Sequence, residues 1–170
     1  MTGLQIGESF VGDGAEAAHV NTVLGNRSGP AGSAWATALA TPSAGHVPFM
    51  AVLGPGLAVK PLTLFVNKAP IADDGHGTLT WGAAQAGVAG GVADAVAEGI
   101  VSESALDDLV LIAAVWVNPK AADEALVYAN NRQATRTALA NGAAGLPSTA
   151  DVLTGRQRPT NAFYTAPELL

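Results

Sequence analysis

The 170 residues include no cysteine, which excludes disulfides, thiol nucleophiles and thiolate metal sites. Charge is scarce. Asp, Glu, Lys and Arg make up 13% of the chain, about half the usual share of roughly 25%. Positive charge is scarcer still, with eight Lys and Arg against fourteen Asp and Glu and a net charge of −6. A surface that tracks a phosphate backbone needs the opposite balance, so DNA and RNA are excluded as partners. Long apolar runs are missing as well: the most apolar stretch, LVLIAAVWV at 109–117, is about half the length of a membrane-spanning helix. The opening MTGLQIGESF has neither the basic flank nor the apolar stretch of an export signal. These absences predict a soluble, cytoplasmic protein with no membrane partner.

What is present is small and apolar. Residues of the hydrophobic class account for 49% of the chain, and 35 positions are alanine. The length suits one compact domain. So much apolar surface with so few charges predicts burial between subunits of a homo-oligomer.

Two antiparallel strands are predicted over 4–12 and 16–25, joined at Asp13-Gly14, because an Asp-Gly pair between apolar runs is a strong hairpin signal. Ser28 is placed to cap, and Pro30 to sit in the first turn of, a helix through 33–40 that Thr41-Pro42 ends. Two β-rich runs at 47–54 and 63–71, separated by Pro55-Gly56 and Lys60-Pro61, give two more strands. Ala84, Val88, Val92, Ala95 and Val96 recur at helical spacing, which predicts a helix over about 78–98 with Gly99 after it. Gly87, Gly90 and Gly91 each cost such a helix about 1 kcal/mol relative to alanine, so their presence points to a second backbone packed close. The run 109–117 reads as a buried strand, and Asn118-Pro119 leads into a helix over about 120–141 closed by Gly142. The order ββαββαβα fits an α/β two-layer sandwich with a mainly antiparallel sheet. Residues 1–145 form the domain; 146–170, with three prolines and both Arg156 and Arg158, reads as a tail that wraps the surface or a neighbouring subunit.

Strand alternation puts His19, Asn21 and Val23 on one face of the second strand. An imidazole near its ordinary pKa of about 6.5 can give and take protons at neutral pH, while the plainer role is a hydrogen-bonded histidine on a sheet surface. Lys68 ends an apolar strand, where its ammonium could reach a ligand or form a carbonyl adduct if its pKa were lowered. Gln85 has only Ala84, Ala86 and Gly87 around it, so its amide reads as free to meet a heterocycle, or simply as solvated. Two other patterns fail on context. Gly12–Ala17 formally matches the dinucleotide fingerprint, but a β-type segment follows where a helix must begin. His19, His46 and His76 lack any metal-ligand spacing, so no metal is expected. Asp73-Asp74 and Asp107-Asp108 read as solvated charges, since adjacent side chains point apart.

The strings GDGAEAAH (12–19), KPLTLFVNK (60–68) and AQAGVAGGVADAVAEG (84–99), in that order and in register with IGESFVG and PAGSAWATALA, resemble the formaldehyde-activating enzyme family over about residues 6–145. The resemblance implies a fold like the second domain of ribosomal protein S5. It also implies a homopentamer with the pterin in a cleft between adjacent subunits, and condensation of formaldehyde with tetrahydromethanopterin to methylene-tetrahydromethanopterin and water. By motif, His19 corresponds to the family's proposed acid catalyst, and Lys68 and Gln85 to pterin-contacting residues. Three pocket positions depart from the family pattern: Asn21 stands for an aspartate, Met50 for a leucine and Pro70 for a threonine. Trp81 and Ala83 likewise replace a phenylalanine and a proline at the helix entrance. Asn21 brings no negative charge to His19, and a carboxylate there would raise the imidazole pKa. Pro70 removes a hydroxyl and a backbone donor. The alternative kept beside the enzyme is a paralogue that binds a modified pterin or captures formaldehyde without turnover.

Overall fold

A computed structural model describes residues 3–165 and 167. Strands β1 (Gln5–Val11) and β2 (Ala18–Asn26) pair antiparallel, and helix α1 (Pro30–Ala40) follows. Next come the short strands β3 (Pro48–Met50), β4 (Val52–Gly54) and β5 (Leu57–Ala58), then β6 (Leu62–Asn67). Helices α2 (Asp74–Leu79) and α3 (Gln85–Ala97) lead to β7 (Leu109–Trp116) and to the long α4 (Glu124–Ala144). The chain continues through α5 (Thr149–Gly155) and the small hairpin β8 (Thr160–Asn161) and β9 (Tyr164–Thr165). The main sheet runs β1-β2-β7-β6-β3. All its pairings are antiparallel except β6 with β7, so the expected α/β sandwich with a mainly antiparallel sheet is the architecture found.

Alternation along β2 and β7 decides which face is sealed. Ala18, Val20, Ala113 and Val115 are buried with Phe65 against Val88 of α3 and Val127 and Ala134 of α4. The opposite face carries His19, Asn21, Ala114 and Trp116, all partly open. There α1 covers only one end, where Ala31 meets Gly25 so closely that a Cβ on the glycine would lie 2.9 Å from the alanine methyl.

The glycine-marked helix does meet a second backbone. A Cβ on Gly87 would come within 2.5 Å of the Tyr128 carbonyl oxygen, and one on Gly91 would collide with the Arg132 carbonyl oxygen. The α3–α4 approach thus depends on missing side chains, and Arg132–Asp94 and Arg136–Glu98 ion pairs flank it.

Several boundaries differ from the sequence expectation. The first turn is not a tight hairpin: Gly14–Glu16 form a 3-10 turn and β2 starts at Ala18. Gly29, not Ser28, occupies the cap of α1, because the Ser28 hydroxyl donates to Asn26 Oδ1 instead. The run 47–54 is divided at Ala51, whose N–H turns to the Thr63 carbonyl and whose carbonyl accepts from Val59. Strand β6 stops at Asn67 because the chain leaves the sheet through Ala69-Pro70. The helix expected from about 78 begins at Asp74, capped by the Asp73 carboxylate, and passes through a π turn at Thr80–Ala84. The last core helix starts later, where Asp73's counterpart Asp123 caps it by accepting from the Leu126 N–H. It ends at Gly145 with φ 66°, a left-handed residue; Gly142 lies inside the helix, against Ile6 and Gly7. The tail is more structured than its composition suggests, since Ser148 and Asp151 form a capping box for α5.

In urea unfolding, Gly91→Ala is expected to cost about 2 kcal/mol or more through overpacking. Gly82→Ala, whose added carbon meets nothing within 4 Å, is expected to be neutral or stabilising by up to ~1 kcal/mol. Equal stabilities for the two variants would contradict the close helix contact.

Candidate functional site

Register brings the polar residues of the open face together. Across β1 and β2, Glu8 lies opposite Asn21 and Phe10 opposite His19. Across β2 and β7, His19 lies opposite Trp116. Asn67 pairs with Val115, and the next N–H, that of Lys68, donates to the Val115 carbonyl at 2.8 Å. Lys68 therefore leaves the end of β6 beside His19.

His19 Nε2 lies 2.9 Å from Glu8 Oε1. On the other side of the ring, Lys68 Nζ approaches Nδ1 at 3.4 Å and donates to Asn21 Oδ1 at 2.5 Å. A carboxylate only accepts and an ammonium only donates. With Glu8 and Lys68 ionised, the neutral imidazole must hold its hydrogen on Nε2 and turn the Nδ1 lone pair to Lys68. The ring is not sealed in the core: the His19 side chain is 36% exposed and that of Glu8 59%. Partial burial lowers the His19 pKa first, the Lys68 charge lowers it further, and Glu8 opposes both by charge and hydrogen bond. Burial also lowers the Lys68 pKa, against the pull of Glu8. Phe10 packs beside the ring at 5.9 Å between centroids, and Phe163 of the tail meets Trp116 edge-on at 5.7 Å. Between these aromatic groups and the Asp13-Gly14 turn lies a cavity of about 320 Å³.

The other expected site residues lie elsewhere. Met50 and Gln85 line a separate apolar depression of about 410 Å³ with Val47, Phe49, Val52 and Trp81. The Gln85 amide is not free. It is buried and engaged with one residue, accepting from the Val52 N–H at 2.5 Å and donating to the Val52 carbonyl at 3.2 Å. Trp81 and Val47, at 51% and 49% exposed, stand out furthest from that wall. Pro70 packs against Gly45, where an added Cβ would lie 2.9 Å from the proline ring. His46 Nδ1 bonds the Asn67 carbonyl. His76 is buried, with Nδ1 accepting from the Ala72 N–H and Nε2 donating to the Val117 carbonyl. Both are structural. Among the described residues, no group of three or more His, Asp or Glu could hold a metal ion, and no helix is long and apolar enough to cross a membrane.

Glu8 is the residue that sequence reasoning missed. Asn21 shares the face of His19 as expected, but its oxygen is spent on Lys68, and a carboxylate reaches the imidazole from the neighbouring strand. The sequence held the signal: pairing 4–12 with 16–25 across a short loop places Glu8 near Asn21, and alternation then puts it on the same face.

A family profile described as formaldehyde-activating enzyme (Fae) matches residues 6–164. The chain is 40% identical over 158 residues to a bifunctional enzyme Fae/Hps of Methanosphaerula palustris, covering 93% of this chain and 40% of the relative. It is 40% identical over 159 residues to a bifunctional enzyme Fae/Hps of Archaeoglobus fulgidus, covering 94% of this chain and again 40% of the relative. These bifunctional relatives are thus much longer than the region they share with it. A third relative, named 5,6,7,8-tetrahydromethanopterin hydro-lyase, from Methanosarcina barkeri, is 38% identical over 158 residues, which are 93% of this chain and 89% of the relative.

Because Glu8 supports the imidazolium by charge and hydrogen bond, Glu8→Gln is expected to lower the His19 pKa further in an NMR titration. An unchanged titration would show that the 2.9 Å contact does not govern the ring.

Proposed function

This chain belongs to the formaldehyde-activating enzyme family, and we propose that it condenses formaldehyde with tetrahydromethanopterin to methylene-tetrahydromethanopterin and water. The observation that carries the reading is the half-open imidazole with one nitrogen on a carboxylate and the other on an amine. Condensation requires a pterin amine to add to the aldehyde, the resulting hydroxyl to leave as water, and the second amine to close on the same carbon. Protonation of that hydroxyl is the step a side chain assists, by about 10²–10⁴-fold in general acid catalysis. His19 is the proposed acid, and Nδ1 the atom that delivers the proton, since Nε2 is held by Glu8. Lys68 supplies the neighbouring charge that makes the proton easier to give.

The two sets of expected residues form separate groups: Met50 and Gln85 line the apolar depression, and His19, Asn21 and Lys68 cluster on the open face of the sheet. We place the pterin where the wall bearing Met50, Trp81 and Gln85 of one copy meets the His19 cluster of the next, in a cytoplasmic homopentamer. Half-exposed Trp81 and the apolar Ile6 and Phe10 of the open face support such a contact. The residues that set the fit are then Asn21, Met50 and Pro70, and the tail is assigned to wrap its own surface or that neighbour, a role that the contact of Phe163 with Trp116 supports.

Stopped-flow measurement of condensation above the spontaneous rate tests the reading. The wild type should accelerate it, and His19→Gln should remove roughly 10²–10⁴ of the acceleration. Because the His19 pKa lies below its ordinary value, less imidazolium exists at neutral pH, and where loss of the hydroxyl limits turnover the catalysed rate should rise as pH falls from 7 toward that lowered pKa. A rate insensitive to both the substitution and the pH would remove His19 from the chemistry. Pterin binding without acceleration would favour the non-catalytic paralogue, and light scattering that shows an active monomer would remove the intersubunit site.

A further inference from the structure

We propose that Lys68 is the nucleophile that first captures formaldehyde, as a carbinolamine and then a methylene iminium, with His19 Nδ1 taking and returning the proton. The inference deepens the condensation reading and rests on it for the identity of the aldehyde. Three observations carry it. Lys68 Nζ stands 3.4 Å from a ring nitrogen that must present its lone pair, because Glu8 occupies the other. Asn21 Oδ1 accepts from the same Nζ at 2.5 Å and orients it without adding the negative charge that would hold it protonated. Glu8 of β1 is the carboxylate that acts on Lys68, and it is engaged by His19. The remaining lysines have neither arrangement: Lys60 is 54% exposed and paired with Asp107, and Lys120 is exposed on a turn. Partial burial also lowers the Lys68 pKa, which eases release of the ammonium proton.

The chemistry balances. The Lys68 ammonium gives one proton to His19 Nδ1, and the freed nitrogen lone pair bonds to the aldehyde carbon as the carbonyl electrons move to oxygen. That oxygen takes a second nitrogen proton, leaving a neutral carbinolamine beside an imidazolium. The imidazolium returns its proton to the hydroxyl, the carbon–oxygen bond breaks, and water departs as the nitrogen lone pair forms the double bond. An amine of the acceptor then attacks the methylene carbon. The second acceptor amine closes on that carbon and displaces the Lys68 nitrogen, and the two N–H protons that the acceptor amines lose restore Lys68 as ammonium. No oxidant or reductant enters.

The test traps the iminium on the full chain without pterin. Formaldehyde and cyanoborohydride are added near neutral pH, and the methyl group gained at each lysine is read by peptide mass spectrometry over time. Lys68 should be labelled about tenfold faster than Lys60 and Lys120, the advantage of a freer amine, and the difference should vanish in urea. His19→Gln should slow labelling at Lys68 alone. Lys68→Arg keeps a cation but no amine that can form the iminium, and should lower condensation about 100-fold or more while melting like the wild type. Equal labelling of the three lysines in the native protein overturns the proposal, as does full condensation by a folded Lys68→Arg variant. Fast labelling at Lys68 without condensation would uphold capture and remove the functional reading. Condensation without preference for Lys68 would do the reverse.

Discussion

Between β6 and β7 the ladder runs parallel, with Asn67 beside Val115 and the Lys68 N–H on the Val115 carbonyl. Parallel neighbours cannot be joined by a tight turn; they need a crossover that packs on the sheet. Here the crossover is α2, the π turn and α3, seated on the buried face through Val88 and Val92. Its seat depends in turn on the bare backbone at Gly87 and Gly91, where α4 comes close, and α4 lies over β1 and β2. The strand that delivers Lys68 and the strands that carry Glu8 and His19 are therefore held by one helical layer. The polar cluster of Glu8, His19, Asn21 and Lys68 is gathered on the other face, which that layer leaves uncovered.

With so few charges in the chain, the identity of each matters. The Arg132–Asp94 and Arg136–Glu98 pairs lie at the outer edge of the α3–α4 contact, where solvent screens them, and the helices are held mainly by the apolar layer beneath. At His19 the balance is closer. Glu8 stabilises the imidazolium from one side, yet burial and Lys68 act against it and the ring is left less basic than a free histidine. Burial acts on both partners: it makes the Lys68 ammonium a better proton donor and the His19 ring a poorer acceptor.

Much of this was legible in the sequence where a pattern of period or composition repeats. The alternation of AHVNTVL gave the two faces of β2, the apolar run LVLIAAVW gave β7 as a strand, and the glycines within an otherwise apolar helix gave the close backbone. Motif order gave His19, Asn21 and Lys68, which the fold brings into contact across 49 positions of chain. What escaped had tertiary causes. Gln85 looked free because small residues surround it in sequence, but Val52, far away in the chain, takes both ends of its amide. Gly142 resembled a helix end, yet its lack of a side chain serves the approach of β1, and the left-handed turn falls at Gly145. Glu8 joins the cluster only once its strand is set in register with β2.

Both proposed roles of His19 require one orientation of the ring, with Nε2–H to Glu8 and Nδ1 toward Lys68: capture needs that Nδ1 bare at rest, and the acid step needs it to be the nitrogen that then carries the proton. Long-range nitrogen–proton NMR correlation on the uniformly nitrogen-15-labelled protein reads that state directly, because protonated and bare ring nitrogens resonate far apart. The account predicts a neutral His19 at pH 7 with the hydrogen on Nε2 and an unprotonated Nδ1. A ring carrying its hydrogen on Nδ1, or one exchanging evenly between the two tautomers, would contradict it.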